Sequence, residues 1–281
     1  MEVTKTVVLL TALSVLFVWV GGILGGQMGM IIAFVLTLGM NFWSYFNSDK
    51  MVLKQYNAVE VDASSAQGLY TMVERLSSRA GMPMPRVYII PDPAPNAFAT
   101  GRNHSNAAVA VTEGLLEILD ENEVEGVLAH EMSHVKHYDI LVGTIAATIA
   151  GAIAMLANFG MMFGGSRESR PNPLIMIALM FLAPMAASVV QMAVSRNREF
   201  MADEGAARLT GHPEWLQSAL AKLDNFSRGH HVMRDATPES AHMFIINPFT
   251  GKDVSFKALF STHPKTEDRI ERLEVLKREL T

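Results

Sequence analysis

Long apolar runs alternate with stretches of mixed polarity along this chain. Residues 6–25 and 28–46 are almost entirely apolar, and residues 140–163 and 174–194 repeat the pattern later in the sequence. Each run has roughly the 20 residues that a helix needs to cross a bilayer. The pattern therefore predicts four transmembrane helices arranged as two pairs.

The charges around the first pair predict its orientation. Lys5 before an apolar run is also a feature of signal peptides, but no small-residue cleavage site follows and a second apolar run begins at once. A retained hairpin is therefore favoured. Lys5 lies at one outer end of the pair and Lys50 and Lys54 lie at the other, whereas the link between the runs is uncharged. The positive-inside rule places both outer ends in the cytoplasm.

The stretch between the two pairs has the pattern of a soluble domain. Leu69, Val73 and Leu76 recur at helical spacing. Arg86–Ile90 and Ala107–Thr112 have the pattern of short strands, separated by a proline-rich loop. The sequence predicts a helix and a small sheet here.

A further helix is predicted to begin near Asp120, because Asp120 and Glu123, and also Asn122 and Glu125, have the spacing of a capping box. After the second apolar pair, helices are predicted for residues 214–223 and 266–280. The chain is thus divided into an N-terminal transmembrane hairpin, a first soluble part, a second transmembrane hairpin and a second soluble part, at residues 1–50, 51–139, 140–195 and 196–281.

Composition narrows the chemistry. The chain is 49% hydrophobic, which favours a membrane protein. It contains no cysteine, so disulfides, thiolate ligands and a cysteine nucleophile are excluded. The net charge is -5 and no long basic run is present, so a nucleic-acid partner is not expected. Any metal must be held by histidine or carboxylate side chains.

A metal-binding pattern lies in the helix that follows Asp120. His130 and His134 stand at i and i+4 in an H-E-x-x-H motif, so a helix places both imidazoles on one face. Glu131 can reach a water beside the metal without being a ligand. His137 lies on the same face of the helix but about 10 Å along the axis from His130, which is too far for both to bind the same ion. The motif predicts a zinc peptidase, and the alternative is a chance match on an amphipathic helix.

The third ligand must come from elsewhere in the chain. Zinc sites with two histidines and a glutamate keep a fourth position open for water. Glu199 is the best candidate, since Asp203 one turn later can accept a hydrogen bond from a ligating imidazole. The alternative places Glu199 and Asp203 in a solvated charge cluster. Two predicted spans separate His130 from Glu199, so both lie on the same side of the membrane and near its surface.

Several short motifs in this chain resemble those of the HtpX family of membrane-bound zinc metalloproteases, which are relatives of the type I CAAX prenyl endopeptidases. The likeness covers essentially the whole chain and includes both hydrophobic pairs. The motifs are PNAFATG at residues 95–101, VLAHEMSH at 127–134, SRNREFMADE at 195–204, and THP followed by Arg269 and Ile270. The family's His-Pro-x-x-x-x-Arg pattern matches His263, Pro264 and Arg269.

The resemblance implies an α+β zincin-like (gluzincin-type) catalytic domain, mostly helical with a small sheet, on a four-helix transmembrane anchor. It implies one zinc ion held by His130, His134 and Glu199, with Glu131 as the catalytic base. It also implies a multi-pass protein of the cell (inner) membrane whose active site faces the cytoplasm and cleaves misfolded or damaged membrane proteins. The expected partners are polypeptide substrates and the lipid bilayer, and a homo-oligomer is left open.

Three further residues are expected at the site. His263 is the candidate donor to the oxyanion of the reaction, with a simple turn before the last helix as the alternative. Arg269 is expected to pair with an active-site carboxylate. Asn96 is expected to contact the substrate backbone beside an exposed sheet edge, unless it belongs to an ordinary loop. The rival functions are CAAX-type prenyl-peptide processing, intramembrane proteolysis, and a scaffold or transporter subunit that binds no zinc.

Overall fold

The computed structural model describes residues 2–140, 196–229, 245 and 264–280. The α-helices within these residues are α1 Glu2–Gln55, α2 Gln67–Ala80, α3 Glu113–Ile118, α4 Glu121–Lys136, α5 Arg196–Thr210, α6 Pro213–Gly229 and α7 Thr266–Leu280. The strands are β1 Val59–Val61, β2 Arg86–Ile90, β3 Ala97–Gly101 and β4 Ala107–Thr112. The prediction of a mostly helical domain with a small sheet is confirmed. The second predicted hairpin and His263 lie outside the described residues.

The four strands form one sheet in the order β1-β2-β4-β3, with β3 at one edge. β2 and β4 are parallel, and the other two pairs are antiparallel. The prediction of a loop was wrong for β3, whose residues pair with β4 from Ala97 opposite Val111 to Gly101 opposite Ala107. The last proline before this strand is Pro95. The residues after it form a strand because they pair with β4, which comes later in the chain.

Alternation along β4 determines what each face of the sheet packs against. Val109 and Val111 belong to the main core, together with α2, α4, α6 and α7. Ala108 and Ala110 face the other way, where they meet Tyr56 and its neighbours at the end of α1. Because side chains of a strand point to opposite faces in turn, the sheet is covered by helices on both sides.

α1 joins the first apolar pair to the sheet. The helix is interrupted at Gly25 and Gly26, whose backbone is not helical. A Cβ on Gly21 would lie 2.6 Å from the Cβ of Ala33, so the two halves lie against each other as a hairpin. The far end of α1 is tied to β2 by the ion pair between Asp49 and Arg86 at 2.7 Å.

Many large apolar side chains of α1 are exposed, among them Met28, Phe34, Val35, Leu36 and Phe42. None of the helices among the described residues combines the length and apolarity that a membrane crossing requires. The four-helix transmembrane anchor stays a prediction.

Candidate metal centre

The H-E-x-x-H motif lies in the C-terminal half of α4, a helix most of whose residues are buried. α4 begins with a complete capping box, in which Asp120 accepts from the backbone of Glu123 and the Glu123 side chain accepts from the backbone of Asp120. Val127, Leu128 and Met132 are fully buried in the main core. A capped and buried helix fixes the direction of the histidines one turn apart.

The Nε2 atoms of His130 and His134 on α4 and the carboxylate group of Glu199 on α5 form a ligand triangle, in which one atom from each residue lies within 4.8 Å of the others. The Nε2 atoms of His130 and His134 are 3.2 Å apart. Carboxylate oxygens of Glu199 lie 3.6 Å from Nε2 of His130 and 3.5 Å from Nε2 of His134. Ligands at about 2.0–2.1 Å from a tetrahedral zinc ion lie about 3.4 Å from one another. The two imidazoles and the carboxylate therefore fit a zinc ion in both chemistry and spacing.

Close packing of α5 on α4 brings Glu199 to the histidines. Ala202 and Ala206 on α5 are buried. A Cβ on Gly205 would lie 2.1 Å from Oγ and 2.9 Å from Cβ of Ser133, so a larger residue would crowd the contact between α5 and α4. Small residues at this contact allow the two helix backbones to approach, and Glu199 reaches the ligand triangle as a result.

A buried carboxylate and arginine hold His130. Nδ1 of His130 lies 2.9 Å from Asp203. Arg269 donates to both oxygens of the same carboxylate, at 2.9 Å and 2.7 Å. Arg269 also donates to the backbone oxygen of Ile245 at 3.0 Å and lies 3.4 Å from Nδ1 of His130. The imidazole orientation is thus fixed by a carboxylate that is itself held by a bidentate arginine.

The charges around His130 shift its pKa upward. Burial opposes protonation of the ring, but hydrogen bonds to Asp203 and Glu199 outweigh burial and raise the pKa of His130 to about 9. Burial also works against the charge of Asp203, yet Arg269 and His130 keep the pKa of Asp203 below its ordinary value. Acidic surroundings that favour a proton on the imidazole also favour a metal cation beside it.

A second carboxylate, which the sequence reasoning missed, holds His134. Nδ1 of His134 lies 3.0 Å from Asp139, just beyond the end of α4. Arg198, at the start of α5, lies 3.5 Å from the other oxygen of Asp139. The sequence offered one signal for this contact. Asp139 follows His134 by five residues, shortly after the end of α4, so the chain keeps the two side chains close.

Glu131 lies beside the metal ligands and against the edge strand. Burial is the largest influence on its pKa and raises it, although His130 and His134 act in the opposite direction. The backbone of Ala99 in β3 is another of the groups that lower the pKa of Glu131. A carboxylate with a raised pKa next to a zinc site is well suited to accept and return a proton.

The remaining predicted residues have different positions. Asn96 is buried, and its Oδ1 accepts a hydrogen bond from the backbone of Ile245 at 3.2 Å. A contact between Asn96 and substrate stays a prediction. His137 ends α4 with Nδ1 3.4 Å from Oγ of Ser133. His263 lies outside the described residues.

Comparisons with known proteins agree with this site. Residues 63–277 match peptidase family M48. A "Protease HtpX homolog" from Sulfurovum sp. (strain NBC37-1) is 65% identical over 277 residues, covering 99% of this chain and 100% of the relative. A "Protease HtpX homolog" from Campylobacter hominis is 60% identical over 283 residues, covering 100% of each chain.

The crystal structure of S. mikatae Ste24p has a similar fold. The TM-score is 0.50 at 19% identity, and the likeness covers 85% of this chain. This chain spans 57% of the length of Ste24p. The triangle of ligand atoms, the family match and the HtpX relatives agree: the chain belongs to peptidase family M48 and is a zinc metalloprotease.

Proposed function

We propose that this protein is an endopeptidase of the cell (inner) membrane that hydrolyses peptide bonds of misfolded or damaged membrane proteins on the cytoplasmic side. The observation that supports it most is the triangle of His130, His134 and Glu199 with the Glu131 carboxylate on the same helix. This arrangement combines a metal site with an adjacent proton acceptor, which peptide hydrolysis requires.

His130, His134 and Glu199 are the proposed zinc ligands. Bound zinc acts as a Lewis acid that polarises the substrate carbonyl and makes water a nucleophile at neutral pH. Glu131 takes a proton from the attacking water and delivers it to the leaving amine. His263 is the proposed hydrogen-bond donor to the oxyanion, and Arg269 acts indirectly by holding Asp203.

The edge strand β3 is the proposed docking site for an extended substrate. In the part of the sheet that the structure describes, β3 is the last strand and pairs with β4, and the backbone of Ala99 in its centre is among the groups that lower the pKa of Glu131. A substrate segment that adds to this edge would gain main-chain hydrogen bonds and pass next to the proton acceptor. Main-chain recognition suits a protease that acts on unfolded segments of varied sequence.

The membrane anchor is proposed from the apolar runs. Residues 1–50 and 140–195 are the proposed transmembrane hairpins, and residues 51–139 and 196–281 the two parts of the catalytic domain. The exposed apolar side chains of α1 support the first of these hairpins, because a surface of this kind requires lipid or another partner. The lysines at both outer ends of the first pair support a cytoplasmic active site.

Zinc content and cleavage of an unfolded membrane protein test the proposal together. Glu131→Gln is expected to retain zinc and lose proteolysis, because it removes the proton acceptor and no ligand. His130→Ala and Glu199→Ala are expected to lose both. Glu121→Gln, an exposed change on the same helix, is the matched control and is expected to retain both.

Wild-type rates in Glu131→Gln would overturn the proposed mechanism. A substrate panel separates the two candidate substrate classes. Preferential cleavage of prenylated CAAX peptides over unmodified and unfolded substrates would favour prenyl-peptide processing instead. Retention of zinc in both His130→Ala and Glu199→Ala would show that the metal is held elsewhere.

A further inference from the structure

Each histidine of the ligand triangle contacts its own carboxylate, and each carboxylate pairs with its own arginine. Asp203 contacts His130 and pairs with Arg269. Asp139 contacts His134 and pairs with Arg198. We propose that Asp139 and Arg198 are positioning residues for the metal centre. Asp139 fixes the ring of His134, and Arg198 fixes Asp139.

The contacts run in one line from α5 to the metal face of α4. Arg198 lies 3.5 Å from Oδ1 of Asp139. Oδ2 of Asp139 lies 3.0 Å from Nδ1 of His134, and Nε2 of the same ring points into the ligand triangle. A proton on Nδ1, donated to Asp139, leaves the lone pair of Nε2 available for the metal. Asp139 thereby selects the tautomer that can be a ligand.

Arg198 has a second effect because it precedes Glu199 directly. Asp139 and Arg198 are 59 positions apart in the chain, at the end of α4 and the start of α5. Their ion pair joins the ends of these helices beside the site. It therefore holds the start of α5 where Glu199 reaches Nε2 of His134 at 3.5 Å. One ion pair aligns two of the three ligands.

The ion pair of Asp203 with Arg269 is shorter and more buried than the ion pair of Asp139 with Arg198. The side chains of Asp203 and Arg269 are each 2% exposed, and their shortest contact is 2.7 Å. The side chains of Asp139 and Arg198 are 10% and 9% exposed, and their contact is 3.5 Å. Solvent screens the second ion pair more, so loss of Asp139 is expected to weaken zinc binding less than loss of Asp203 does.

This inference rests on the proposed zinc site. It is tested on the full chain in detergent by measuring the apparent zinc dissociation constant against a competing chelator. Asp139→Asn is expected to raise that constant about 10- to 100-fold, the usual effect of removing such a partner. Asp268→Asn, an exposed aspartate in the first turn of α7, is the matched control and is expected to leave it unchanged.

Arginine variants test whether Arg198 acts through Asp139. Arg198→Gln is expected to raise the apparent zinc dissociation constant by a smaller factor than Asp139→Asn does. The double variant of Arg198→Gln with Asp139→Asn is expected to bind zinc no more weakly than Asp139→Asn alone. Arg198→Lys, which keeps the charge, is expected to recover most of the affinity. Arg208→Gln, an exposed change later on α5, is the matched control.

A purely structural role predicts other results. In that case Asp139→Asn would lower the unfolding temperature of the metal-free protein, and the visible spectrum of the cobalt-substituted protein would match wild type. A positioning role predicts an unchanged metal-free unfolding temperature and an altered cobalt spectrum. Wild-type zinc affinity in Asp139→Asn would overturn the inference. So would a double variant whose zinc dissociation constant rises by the product of the two single factors. Neither result would argue against His130, His134 and Glu199 as the zinc ligands.

Discussion

Replacing Arg269 with methionine tests whether the buried arginine holds the centre together. The Arg269 side chain is 2% exposed and makes two short contacts with Asp203, which is equally buried. Methionine fills much of the same space but removes the charge and the donors. Asp203 would then remain as a buried carboxylate with His130 as its neighbouring cation, and the backbone oxygen of Ile245 would lose a donor.

The expected loss of stability is large. Removing one partner of a buried ion pair costs about 3–5 kcal/mol, because the remaining charge stays buried. Arg278→Met on the same helix is the matched control. Arg278 pairs with Glu274 at 3.6 Å but is 76% exposed, so the loss is expected to be below about 1 kcal/mol.

Urea unfolding of the full chain in detergent, with a chelator present, measures the difference. With an m-value of about 3 kcal/mol/M, a loss of about 3–5 kcal/mol lowers the midpoint by about 1–1.7 M. The double variant Arg269→Met with Asp203→Asn also removes the buried Asp203 charge and is expected to be more stable than Arg269→Met alone. A loss below about 1 kcal/mol in Arg269→Met, or simple addition in the double variant, would refute the reasoning.

Three smaller perturbations test packing, capping and charge. Gly126→Ala places a carbon 2.8 Å from the backbone nitrogen of Leu216 and is expected to cost about 1–3 kcal/mol in urea unfolding, whereas an unchanged midpoint would contradict the close contact of α4 and α6. Asp120→Ala removes the capping box and is expected to cost about 1 kcal/mol, with a null result showing that α4 does not depend on its cap. Hydrogen bonds from Ser64 and its neighbour lower the pKa of Asp62 to about 2, so its stabilising contribution is present above pH 3.8 and lost as the pH falls through about 2. An NMR titration midpoint near 3.8 would contradict these bonds.

Local patterns in the sequence were sufficient for the elements whose periodicity is strong. β2 and β4 occupy the residues predicted for them, and α7 spans Thr266–Leu280 as predicted. Two capping spacings predicted a helix start near Asp120, and α4 uses the one formed by Asp120 and Glu123. The i and i+4 spacing of His130 and His134 needed only a helix to bring both rings to one face. These features depend on residues a few positions apart, so the sequence alone determines them.

Contacts between distant parts of the chain were decided by the tertiary structure. β3 was predicted as a loop because its short run follows several prolines, and only the pairing with β4 makes it a strand. Asn96 was expected beside a sheet edge and directly precedes β3, but only the folded chain brings Ile245 to its side chain. Neither outcome follows from a local pattern, because each depends on a partner that the chain brings close only when it folds.

The metal centre combines both kinds of information. The sequence determined the two histidines and limited the third ligand to a carboxylate, since the chain has no cysteine. The tertiary structure brought Glu199 to within 3.6 Å of His130, because glycine and alanine on α5 let it pack closely on α4. It also revealed Asp139 behind His134. The orientation of an imidazole depends on what surrounds it in space, and residue spacing along the chain does not record that.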